Sequence, residues 1–83
     1  MVTGIIEKDV HGMRTEEVIK TIYQLLSQAT SATYRIRIIH GFHGGTRIRD
    51  GIQDEFGYNR EPRIKRISMG TNPGITELIL REL

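Results

Sequence analysis

Tyr34-Arg35-Ile36-Arg37-Ile38 alternates strictly between a large or apolar side chain and a cation, so Tyr34, Ile36 and Ile38 point to one side and Arg35 and Arg37 to the other. A strand patterned this way is covered on one face only. Strands of a sheet clad by helices on both faces read instead as unbroken apolar runs. The pattern therefore predicts two layers, with every helix of the chain on the same side of one sheet.

Working outward, the segment before this strand carries Val18, Ile22, Leu25, Leu26 and Ala29 at spacings of three and four, with Glu16, Lys20, Gln24 and Ser27 opposite. That is one apolar stripe on a helix running from Thr15 to about Gln28. Thr15 is a suitable cap, and Glu16 and Glu17 suit the positive end of the helix dipole. Upstream, Ile5–His11 reads as extended and ends at Gly12. Downstream, the glycine-rich His40-Gly41-Phe42-His43-Gly44-Gly45-Thr46 leads into a second helix of about ten residues. Ile48, Ile52 and Phe56 form its stripe, and Gly57 is placed to cap its end. Ile64–Met69 reads as a strand, residues 70–74 as a turn and Ile75–Leu83 as a closing strand. The predicted order is β-α-β-α-β-β. The first two strands, joined by a helix, should be parallel; the last two, joined by a short turn, antiparallel. The fold class is α/β in the sense of an α+β two-layer sandwich, with a mixed four-stranded sheet.

The 83 residues allow one domain, 1–83, with a modest core. The absence of cysteine removes disulfides and thiolate zinc sites, and so removes the support for an oxidising compartment. The run Leu78–Leu80 is far too short to cross a bilayer and Met1–Gly4 lacks the features of a signal peptide, so the expected location is cytoplasmic, with no membrane partner.

Charge is unevenly spread. Residues 1–33 hold three cations against four carboxylates, a net of −1, while residues 34–66 hold eight cations against four carboxylates, a net of +4. Seven of those eight are Arg, whose fork matches paired phosphate oxygens, so the middle of the chain is the candidate face for a polyanion such as DNA or RNA. A solvated surface or a face for an acidic protein partner remains an alternative.

Ligands gather beyond the carboxyl ends of parallel strands, where helix N-termini present unpaired amides. The first strand ends Asp9-Val10-His11-Gly12 and the second ends His40-Gly41, so two histidines should emerge at one edge of the sheet. Asp9 and His11, two apart, project from the same side, and a carboxylate beside an imidazole fixes its tautomer and raises its basicity. The glycine-rich segment suits close backbone approach to an anion, phosphate foremost, although glycines also serve ordinary turns. Its spacing matches neither a P-loop nor a dinucleotide fingerprint. Three histidines and a carboxylate also permit a metal site, but no H-E-x-x-H helix is present. Phe42 and, second, Tyr58 are the aromatics placed to stack on bases; Tyr23, Tyr34 and Phe56 read as packing residues.

Asp9-Val10-His11-Gly12 resembles the Leu-Asp-Leu-His-Gly signature of the Smr (small MutS-related) domain family, and Ile38-Ile39-His40-Gly41 with Gly44-Gly45 resembles its His-Gly-x-Gly-x-Gly signature. Lys8 and His43 depart from the family pattern. The resemblance implies a two-layer fold similar to the C-terminal domain of translation initiation factor 3, and nucleic-acid binding with DNA-nicking or RNA-cleaving endonuclease activity in several members. In that reading Asp9, His11 and His40 are catalytic: Asp9 orients His11 as general acid or base, and His40 meets the phosphate or shares the proton work. Gly41, Phe42, His43, Gly44, Gly45 and Thr46 form the phosphate-binding loop. Arg35, Arg37, Arg47 and Arg49 hold the nucleic-acid backbone. No cofactor is required; Mg²⁺ or Mn²⁺ could assist through Asp9. The alternative on the same residues is a binding module without catalysis.

Overall fold

In the computed structural model, which describes residues 4–42, 46–69 and 72–82, the chain runs β1 (Ile5–Asp9), α1 (Thr15–Gln28), β2 (Arg35–Ile39), α2 (Arg47–Phe56), β3 (Arg66–Ser68) and β4 (Ile75–Ile79). The four strands form one sheet in the order β1-β2-β4-β3. β1 and β2 are parallel, with Ile6 opposite Ile36 and Lys8 opposite Ile38. β4 runs antiparallel to both its neighbours, β2 and β3. This is the predicted two-layer mixed sheet. The core explains it: Ile36 and Ile38 from β2 and Leu78 from β4 pack with Val18, Ile22 and Leu26 of α1 and Ile52 and Phe56 of α2 in one cluster. Each such side chain contributes about 1.5–3 kcal/mol on burial, so the alternation that aims Ile36 and Ile38 inward commits both helices to that face.

Local differences from the sequence reading have local causes. Arg14, not Thr15, is the N-cap of α1. The Glu17 carboxylate reaches back to accept the Arg14 backbone N–H at 3.1 Å, which pulls Thr15 into the first turn. There the Thr15 methyl lies so close to Gly51 that a Cβ on Gly51 would stand 2.3 Å from it, and the bare backbone of α2 is what admits the start of α1. Gly57 does cap α2, but with extended backbone; the left-handed residues are the next two, Tyr58 and Asn59. β3 is three residues rather than six, because Ile64 turns into the core ahead of it. β4 stops at Ile79, where Leu80 leaves the ladder to donate to the Tyr34 carbonyl at 2.9 Å. Among the described residues no helix is long and apolar enough to cross a membrane.

Candidate active site

Because β1 and β2 are parallel and each is followed by a helix, the starts of α1 and α2 lie at the same end of the sheet. Between them opens a cleft of about 660 Å³ lined by Gly12 to Glu16, His40, Gly41, Arg47 and Ile48. Its walls are thus two helix N-termini. Their unpaired amides and positive dipole ends favour an anion, and Arg14 and Arg47 reinforce that preference while Glu16 opposes it.

Asp9 and His11 directly precede Gly12, the residue with which the lining of this cleft begins, and are not among the lining residues themselves. The His11 Nδ1–H donates to Asp9 Oδ1 at 2.6 Å, and the His11 backbone N–H donates to the same oxygen at 3.0 Å. A carboxylate only accepts, so the proton sits on Nδ1 and Nε2 is the free nitrogen. His11 is 77% exposed and Asp9 56%. The hydrogen bond to Asp9, helped by its negative charge, raises the His11 pKa above the ordinary imidazole value. The side-chain and backbone hydrogen bonds from His11 lower the pKa of Asp9. The two residues form an exposed, oriented acid–base pair.

His40 lies elsewhere. It continues the inward series Ile36, Ile38, His40, whereas Asp9 follows Glu7, whose carboxylate meets Arg37 on the uncovered face. The two histidines therefore share an end of the sheet but leave it on opposite sides. His40 is 8% exposed. Its Nδ1–H donates to the Gly41 carbonyl at 2.6 Å, and its Nε2, 2.8 Å from Thr76 Oγ1, accepts the hydroxyl proton. The Met69 sulfur, 3.9 Å from that hydroxyl, is the weaker competitor. With both nitrogens engaged inside the protein, His40 forms part of the cleft wall.

Gly41 is likewise engaged within the protein. Its N–H and that of His40 both donate to the Gly74 carbonyl, at 3.0 and 2.9 Å, so the Gly41 amide is not available to cradle phosphate. Gly41 is needed for its backbone: φ is +71°, and a Cβ on Gly74 would stand 3.2 Å from the Gly41 Cα. His43, Gly44 and Gly45 lie outside the described residues. Phe42, which precedes them in the sequence, is exposed. Thr46 precedes α2, its hydroxyl donating to Asp50 Oδ2 at 2.8 Å.

The arginines divide. Arg47 lines the cleft, and Arg49, half-buried, lies 4.0 Å from Asp50. Arg35 and Arg37 stand on the uncovered face, where Glu77 accepts from Arg35 at 3.1 Å and from Arg37 at 2.6 Å, and Glu7 accepts from Arg37 at 3.3 Å. Their charge is balanced there by these carboxylates, away from the cleft. Arg14 was missed by the sequence reading, although a basic residue immediately before a helix start was signal enough to find it. Among the described residues no three His, Asp or Glu side chains gather to hold an ion. The nearby carboxylates are Glu16 in the cleft lining and Asp9 just ahead of it in sequence.

The comparisons with known proteins agree with this architecture. A search of the curated proteins finds none that matches. Among solved structures, the Smr domain of Thermus thermophilus MutS2 superposes with a TM-score of 0.78 at 23% identity, covering 93% of this chain and 99% of that one. Residues 8–72, which contain the Asp9–His11 pair, both helix N-termini and His40, match the model of the Smr domain. The chain belongs to the Smr domain family.

Proposed function

We propose that this chain is a nucleic-acid-binding endonuclease domain that hydrolyses a phosphodiester at the cleft. The observation that carries the reading is the exposed Asp9–His11 pair, hydrogen-bonded at 2.6 Å and directly ahead in sequence of Gly12, where a cleft walled by two helix N-termini begins. A backbone phosphate sits against the amides of α1 and α2 with Arg14 and Arg47 on its oxygens. His11 Nε2 takes a proton from the attacking water as the new O–P bond forms, or as imidazolium gives a proton to the departing sugar oxygen as the old O–P bond breaks. Asp9 holds the ring and stabilises its charge. Smr domains as a family bind nucleic acid, which agrees with this assignment.

The test is incubation of the pure protein with supercoiled plasmid and with structured RNA, with and without chelator, beside His11→Ala. The nuclease reading expects nicking or cleavage that the variant loses while it still binds. One observation favours a second reading, a binding module without catalysis: His40 is occupied, leaving a single imidazole for proton transfer. That reading expects wild type and His11→Ala to bind alike and neither to cleave.

A further inference from the structure

At the far end of α2, about 15 Å from the cleft by its ten residues, Tyr58 and Asn59 both adopt left-handed backbone, with φ of 57° and 63°. For a tyrosine this conformation is costly, and no burial offsets it: the ring is 82% exposed. What the turn achieves is presentation. The Arg60 guanidinium lies over the ring, 5.7 Å from its centroid, and the turn opens onto a cleft of about 210 Å³ lined in part by Lys65 and Arg66. Arg63 is held by Glu61 and Arg66 by Glu82, while Arg60 also reaches the Asp54 carbonyl. Arg63 and Arg66 are thus balanced by carboxylates, and among the described residues there is no ordered row of guanidinium forks here to track phosphates. Exposed Asp54 on α2 further disfavours a phosphate path there.

We infer that Tyr58, with Arg60 against one face of its ring, is a stacking platform for one unpaired base of DNA or RNA, a second contact separate from the cleft. This rests on the nucleic-acid reading above. Every base has a π-face, so an aromatic ring flanked by a guanidinium suits single strands without regard to sequence, and a duplex, whose bases are already stacked, gains nothing from it.

The test measures binding of labelled dT12, U12 and a blunt duplex by wild type, Tyr58→Asn, Tyr58→Phe and Arg47→Ala at several salt concentrations. Asn tolerates the left-handed backbone, so Tyr58→Asn removes the ring while keeping the turn, and thermal melting checks this. Tyr58→Asn is expected to weaken single-strand binding by roughly 5- to 150-fold with an unchanged salt slope. Tyr58→Phe should bind like wild type, and duplex binding should not change. Comparison of dT12 with U12 separates DNA from RNA. Tyr58→Trp gives a direct readout, because the chain has no other tryptophan and a stacked base should quench its fluorescence. Tyr58→Asn binding single strands as tightly as wild type, while Arg47→Ala weakens binding, would overturn the platform and leave the cleft reading standing. Equal losses for duplex and single strand, or no quenching at saturation, would also overturn it. No binding by wild type would overturn both.

Discussion

His11 and His40 follow neighbouring parallel strands, each is succeeded by a glycine with positive φ, and both reach the same end of the sheet. They nevertheless occupy opposite environments. His11 is exposed, held by one carboxylate and left with one free nitrogen, whereas His40 is buried with both nitrogens bonded to the protein. The difference is one of parity. Val10 is the inward residue at the end of β1 and His40 the inward residue at the end of β2, so the first histidine falls one position out of the core series and the second falls into it. Two similar His-Gly motifs thus differ in kind, one presenting an exposed imidazole and one buried beside the Gly41–Gly74 contact that shapes the cleft.

The comparison breaks most visibly if each histidine is removed in turn. His11→Ala should lower cleavage by about 10²–10⁴-fold and leave melting essentially unchanged, because the side chain packs against nothing in the core. A plasmid-nicking assay beside a melting curve measures both; an unchanged cleavage rate would dismiss His11 as the proton carrier. His40→Ala should do the reverse in kind. It strips the buried Thr76 hydroxyl of its partner, which costs about 1–3 kcal/mol, and each kcal/mol lowers Tm by roughly 4–8 °C in a domain of this size. If His40→Ala melts like wild type yet abolishes cleavage, the division of labour proposed here is wrong.

Asp9→Asn sharpens the comparison without removing either ring. The hydrogen bond to Asp9 raises the His11 pKa, so the variant should return it downward toward the ordinary value, as read by NMR titration of the imidazole. If His11 acts as base, the onset of cleavage should move to lower pH with it. The stability consequences follow by linkage. The raised His11 contributes below its unfolded pKa and loses that contribution as pH rises through the folded value. The lowered Asp9 contributes above its unfolded pKa and loses it as pH falls through its folded value. The pair is fully effective between roughly pH 4 and 6.5, and because both groups are exposed its share of the total is small.

Much of this molecule could be read from residues that act locally. The alternation of residues 34–38, the stripe of α1 and the punctuation by glycine yielded the element order, the single covered face and the shared end of the two parallel strands. The parity of His40 is legible as well, since the series Ile36, Ile38, His40 continues the inward face one step past the strand. What was not legible depends on partners distant in sequence. Thr76 is 36 residues from the histidine it bonds, and Glu77 is 42 and 40 residues from the two arginines it neutralises. Alternation says which way Arg35 and Arg37 point. It says nothing of what meets them there.

Those arginines supply the last test, and the smallest effect. Arg47 lines the cleft unshielded by any ion pair among the described residues, whereas Arg37 is shared between Glu77 and Glu7 on the other face. A phosphate contact releases a counterion on binding, so Arg47→Ala should weaken affinity and flatten the dependence of log K on log salt by about one unit. Arg37→Ala changes net charge by the same amount and controls for bulk electrostatics. If position matters, its salt slope should match wild type, and its only cost should be a surface ion pair of about 0.2–1 kcal/mol. Fluorescence anisotropy at four or more salt concentrations distinguishes the two. Equal flattening by both variants would mean that nucleic acid follows the overall field rather than the cleft, and that the uncovered face, despite its carboxylates, is part of the binding surface.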